Sequence, residues 1–96
     1  DDYIQVMLPS RTSLSAAYPN PFNPSTTISY TLANTANINL SVYNVSGQLI
    51  EKLKNGYQDA GNYEIVWDAS QQPSGIYLLR LQSEHESFNQ KLMLMK

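Results

Sequence analysis

The side chains in this 96-residue chain that could perform chemistry are few and scattered. His85 is the sole histidine, set in Ser83-Glu84-His85-Glu86-Ser87. An imidazole needs a partner to relay a proton and companions to hold a metal. Here its neighbours are two glutamates, and all three read as the solvated tip of a hairpin. No serine occupies a Gly-x-Ser-x-Gly elbow, the turn that would strain and expose a nucleophile. No glycine-rich phosphate loop occurs. Cysteine is absent, which removes thiol chemistry and a disulfide framework and disfavours a structural zinc site. Asp59 and Asp68, near Asn62, could offer oxygens to a calcium ion. The competing reading is that both carboxylates bond their own backbone at strand ends. Calcium is thus the one cofactor the residues leave open, and the inventory predicts a protein that is not an enzyme.

Composition narrows the class further. A chain this long makes one domain and buries roughly two-thirds of the surface its unfolded form exposes. Charged residues make up 15% and the net charge is -2. Lys and Arg do not cluster, so the electrostatic footprint of nucleic-acid binding is missing. No run of about 18 apolar residues occurs, so no helix is expected to span a membrane. The chain opens Asp1-Asp2-Tyr3 without Met, which suggests a fragment of a longer polypeptide or a mature form.

The elements that would position any site alternate with period two. Ile28, Tyr30 and Leu32 share one strand face. Ile38, Leu40 and Val42 repeat the pattern, followed by Tyr63, Ile65 and Trp67, and then by Tyr77, Leu79 and Leu81. Turn signals separate these runs, and all four glycines fall in the breaks, where a positive φ is cheap only for glycine. This rhythm predicts an all-β antiparallel sandwich of about seven strands. Leu49, Ile50 and Leu53 break the alternation, which predicts a bulge or an edge position. Residues 1–17 read as an N-terminal strand (Tyr3 to Leu8) and a small, polar linker (9–17), or as the remnant of a preceding domain. Residues 18–96 form the domain proper. Trp67 alternates in phase with Tyr63 and Ile65, so it reads as a core anchor between the sheets; a sugar-stacking platform, with Tyr57 and Tyr63 in an aromatic strip, is the sharper alternative.

The two ends of the domain carry the most specific patterns. Tyr18 to Pro24 holds three prolines in seven positions. Asn20 and Asn23 each precede a proline, and both that position and the proline itself are restricted to non-helical backbone. The segment is expected to be extended and stiff, with Phe22 as an apolar peg. It either plugs one end of the core or offers a preformed hook to a partner. At the other end, Leu92 and Leu94 share one face of a last strand, with Met93 and Met95 on the other. A terminal strand apolar on both sides is either covered within the domain or shows a face or edge to another protein.

Taken in order, "YPNPFNPSTTISY", "LSVYNVSGQLIEKL", "AGNYEIVWDAS", "PSGIYLLRL" and the Lys-ended tail closely resemble the C-terminal sorting domain of cargo exported by the type IX secretion system of Bacteroidota and related bacteria. The chain is also similar to the Ig-like domain of flagellar hook-capping proteins. The proline block and the tail favour the sorting family. That resemblance implies an immunoglobulin-like sandwich joined to an N-terminal cargo domain and passing through the periplasm to the cell surface or medium. It implies an outer-membrane translocon as partner and a sortase-type protease that cleaves before Tyr18 and joins the cargo to lipopolysaccharide or releases it. It places recognition on Asn20, Pro21, Phe22, Asn23, Pro24, Gly47, Gly75 and the tail Lys91, Leu92, Met93, Leu94, Met95 and Lys96. An accessory carbohydrate-binding or stabilising module of a secreted enzyme is the rival expectation.

Overall fold

The computed structural model describes residues 11–96. The strand expected at Tyr3 to Leu8 lies outside them. Seven strands follow in order: β1 (Ser13–Leu14), β2 (Ser25–Leu32), β3 (Ala36–Asn44), β4 (Leu49–Gln58), β5 (Gly61–Asp68), β6 (Gly75–Gln82) and β7 (Ser87–Leu94). They pair antiparallel in two sheets, β1-β2-β5 and β4-β3-β6-β7. The described residues contain no helix, and the chain is the all-β sandwich that its alternation predicts.

The alternation sets which residues face inward. Ile28, Leu32, Leu40, Val42, Leu79, Leu81 and Leu92 are fully buried, and Tyr30, Ile38, Tyr77 and Leu94 nearly so. Each such aliphatic side chain contributes at most roughly 1.5–3 kcal/mol by leaving water. Their sum holds the two sheets together. No described buried side-chain nitrogen or oxygen lacks a hydrogen-bond partner.

The irregular pattern at Leu49 to Leu53 has its physical reason in β4. This strand lies at a sheet edge, and its register against β3 shifts twice, between Leu40 and Ser41 and between Val42 and Tyr43. Leu53 and Ile50 are the extra residues, and both still pack against the core. Two bulges on an edge strand also spoil it as a template for further pairing. At the β3–β4 turn, the Asn44 side chain accepts the backbone N–H groups of Ser46 and Gln48 at 3.0 Å each. Gly47 follows at φ +85°, where a side chain would be strained.

The supposed linker is partly built into the sandwich. Ser13 and Leu14 pair with Thr31 and Tyr30, and the Ser15 N–H donates to the Ser29 carbonyl at 2.9 Å. Leu14 packs on the core and Ala17 is buried. These residues are small and polar enough to pass for a linker, yet they close the open side of β2 and so satisfy its backbone.

Tyr30 supplies a pH test of this packing. Its hydroxyl donates to Gln58 Oε1 at 2.6 Å, and its ring stacks on Tyr63 at 5.3 Å. Burial raises its pKa above 10.0, the Gln58 hydrogen bond opposes the rise, and Tyr63 adds to it. The folded state therefore holds this proton more tightly than the unfolded chain. The stability it contributes is complete below about pH 10 and is lost as pH climbs from there through the raised value. Urea unfolding midpoints should fall above pH 10, and Tyr30→Phe should flatten that fall. An unchanged alkaline slope in the variant would clear Tyr30 of the effect.

Candidate functional site

The proline block answers to the edge of β7. Residues 19–24 form a succession of bends around Phe22, not the straight hook that proline stereochemistry suggests. The peptide bonds before Pro19, Pro21 and Pro24 are cis. Asn20 places its carboxamide on the backbone of β7: Nδ2 donates to the Lys91 carbonyl at 2.9 Å, and Oδ1 accepts the Met93 N–H at 3.0 Å. Phe22 takes over with its own backbone, donating to the Met93 carbonyl and accepting from the Met95 N–H, both at 2.9 Å. Side chain and main chain together thus make one short parallel ladder along β7. A proline cannot donate a backbone hydrogen bond, so a strap rich in prolines pairs inward without offering its own outer edge as a new template.

The same strap ties the two sheets. Tyr18 exchanges backbone hydrogen bonds with Thr27 of β2 at 3.1 and 3.0 Å. Gln90 of β7 accepts the Ala17 N–H and donates to the Ser15 carbonyl, each at 2.7 Å. Thr26 donates to the Pro19 carbonyl at 2.6 Å, and Ala69 donates to the Pro24 carbonyl at 2.9 Å. One long side of the sandwich is therefore closed by residues 13–24.

Phe22 is not an exposed peg: only 2% of its surface meets solvent. Its ring lies 5.6 Å from Trp67, which meets Tyr77 edge-on at 5.4 Å. Trp67 is 1% exposed and donates from Nε1 to Glu51 Oε1 at 3.1 Å. Its faces are occupied by the core, so it offers no sugar-stacking platform, and Tyr63 is committed to Tyr30. Leu92 and Leu94 are likewise core residues, because β7 turns them inward. The expected recognition residues that remain exposed are Asn20, Pro21, Asn23, Pro24, Gly47, Gly75, Lys91, Met95 and Lys96, with Met93 half-buried.

Those positions converge on one pole. The strap bends, the β3–β4 turn with Gly47, the start of β6 at Gly75 and the end of β7 all lie there, since Gly75 pairs with Leu94 and Asn44 with Tyr77. At this pole, Lys96 folds back, its backbone N–H donating to Ser74 Oγ at 3.0 Å and its Nζ to the Ser70 carbonyl at 2.7 Å. Thr12, just before β1, lies at the opposite pole beside Ala33, whose N–H donates to Thr12 Oγ1 at 3.1 Å.

The calcium pairing does not survive the topology. Asp59 precedes β5 and Asp68 ends it, so the length of the strand, roughly 25 Å, separates them. Asp68 accepts the Ser70 N–H at 2.9 Å in a local turn, and Asp59 accepts from Thr35. Among the described residues no group of three or more His, Cys, Asp or Glu could hold a metal ion. His85, Glu84 and Glu86 are exposed at the β6–β7 turn, closed by the Ser83 N–H on the Glu86 carbonyl at 2.8 Å.

Sequence reasoning missed Gln90 and the long reach of Asn20. Both contacts join residues more than seventy positions apart, and only the in-phase polar positions on an edge strand hinted at them. Compared with known families, residues 16–95 match the family described as "Secretion system C-terminal sorting domain". No curated protein and no solved structure matches the chain.

Proposed function

Because the chain belongs to the secretion system C-terminal sorting domain family, a family of sorting signals in exported proteins, we propose that its tail pole is what the type IX outer-membrane translocon reads after the protein reaches the periplasm. The chain itself carries out no chemistry in this reading; it is the address of an N-terminal cargo domain. The observation that carries the proposal is the strap–tail ladder. Asn20 and Phe22 fix β7 to its last residue and leave Met95, 56% exposed, and Lys96 standing at one pole. The tail is thereby rigid, and a rigid epitope binds with less ordering entropy to repay. The cargo would leave from the other pole, so docking and cargo do not collide.

A sortase-type protease would then act upstream of Ser13. Residues 13–18 are hydrogen-bonded into both sheets, and a protease needs a free stretch of backbone. Surface attachment of the cargo to lipopolysaccharide would follow that cut.

Removing all of Lys91 to Lys96 would confuse address with fold, because Leu92 and Leu94 are core. Deleting only Met95 and Lys96 separates them. A periplasm-targeted reporter carrying the full chain should reach the medium or cell surface in a host with type IX export, and the two-residue truncation should strand it in the periplasm. The melting temperature should fall by no more than about 8 °C, since the three exposed hydrogen bonds lost are together worth about 1 kcal/mol. Equal export of both reporters would remove the tail pole from recognition.

A further inference from the structure

We infer that the outer face of the four-stranded sheet is a second docking surface, fitted to an apolar protein surface rimmed by carboxylates. This inference rests on the sorting reading and adds a sheet face that adjoins the tail at Lys91 and Met93 and extends beyond it over β6, β3 and β4. Four apolar residues meet on this face: Tyr43 pairs with Leu78, and Ile76 pairs with Met93. Ile76 and Leu78 are 39% and 43% exposed in mid-sheet, where an antiparallel strand facing water would ordinarily carry polar side chains. Tyr43, Leu78, Arg80 and Asn89 line a shallow recess of about 200 Å³.

The charges around the patch are of one sign. Lys91 pairs with Leu78, Arg80 lies 6.0 Å from the centre of the Tyr43 ring, and Lys52 pairs with Ser41 on the same face. No outward position of this sheet holds Asp or Glu among the described residues; Glu51 pairs with Val42 and is held by Trp67. The outer face of the other sheet has the opposite character, with Glu64 and Asp68 of β5 and no Lys or Arg on its strands. A chain of net charge -2 thus sets three of its six Lys and Arg side chains around its apolar sheet face. Such segregation selects a partner with complementary charge and speeds its encounter.

The same observations disfavour other occupants. In a symmetric pair of copies, this face would set Lys and Arg against Lys and Arg. An anionic membrane is usually gripped by clusters of about 4–8 cations or by protruding amphipathic groups. Here only three cations are spread over the sheet, and its apolar side chains are half sunk.

The test uses the full chain fused to the periplasm-targeted reporter in a host with type IX export. Arg80→Glu with Lys52→Glu, both clear of the tail, and separately Leu78→Asp, should lower the exported fraction at least about tenfold, while Glu64→Lys on the opposite face leaves it unchanged. Melting curves of the purified chains identify any variant that has lost its fold; the charge reversal, at exposed positions, is the decisive one. A photo-crosslinking side chain at position 76 should yield an adduct with an outer-membrane protein that the charge reversal abolishes. Normal export of the reversed variant overturns the surface while the sorting reading stands. Failure of the unaltered fusion to export overturns both. Charge-dependent flotation of the isolated chain with phosphatidylglycerol vesicles, or a concentration-dependent dimer abolished by Leu78→Asp, would replace the protein partner with a membrane or a second copy and so overturn the inference.

Discussion

Replacing Phe22 with alanine should destabilise the domain by roughly 3–5 kcal/mol, the range for emptying a buried aromatic site. That is a large share of the 5–15 kcal/mol typical of a folded domain. The loss should also have a location. Phe22 supplies both the ring against Trp67 and the backbone groups that pair with Met93 and Met95. With the ring gone, nothing in the core holds the strap down, and the tail should open before the rest of the sandwich. Native-state amide exchange reads this directly: the Met95 N–H, which donates to the Phe22 carbonyl, and the Met93 N–H should lose protection while those of β3 and β6 keep theirs. Asn20→Ala is the matched comparison. It removes two exposed hydrogen bonds and no packing, so its effect should be about 1 kcal/mol. Similar losses from the two variants would mean that the ring does not anchor the strap. If Phe22→Ala folds yet no longer sorts its reporter, tail rigidity and recognition are linked.

Trp67→Ala should be as severe, at roughly 3–5 kcal/mol, for a different reason. Trp67 stands where the sheets and the strap meet, touching Phe22 on one side and Tyr77 on another and bonding Glu51 at the bulged edge. Its removal leaves a void bordered by aromatic rings that cannot collapse without moving β6 or the strap. Trp67→Phe should retain most of that packing, losing the hydrogen bond to Glu51 and some volume, about 1–2 kcal/mol in all. Urea unfolding of the three proteins settles the order. A Phe variant as unstable as the Ala variant would show that the bond to Glu51, not the ring, holds the site. Trp67 is also the single tryptophan, so its fluorescence should shift to the red in Phe22→Ala as water reaches the indole.

Much of this was legible beforehand because burial in a two-sheet fold has period two. Ile28 to Leu32, Ile38 to Val42 and Tyr77 to Leu81 alternate cleanly, and each turned its apolar set inward. The broken rhythm at Leu49 to Leu53 was readable too, as an edge and as bulges. Residues 13–17 were harder. Two paired residues and one buried alanine leave no periodic trace, and a polar composition suits a strap as well as a linker. Phe22 was read as a peg with two possible roles because its neighbours are prolines; what surrounds it in space is Trp67. Asp59 and Asp68 looked like a shared site only while the direction of β5 between them was ignored.

The residues alone determined the all-β character, the inward sets of β2, β3, β5 and β6, the poverty of catalytic groups and the family, because these depend on local alternation, side-chain chemistry and ordered motifs. The tertiary structure alone decided that the proline block closes the edge of β7, that the tail and Thr12 lie at opposite poles, and that three cations and the exposed apolar residues share one sheet face. Each of those facts depends on strand pairings between residues up to seventy-odd positions apart, and pairing partners are selected by the packing of the whole sandwich, not by any segment of it.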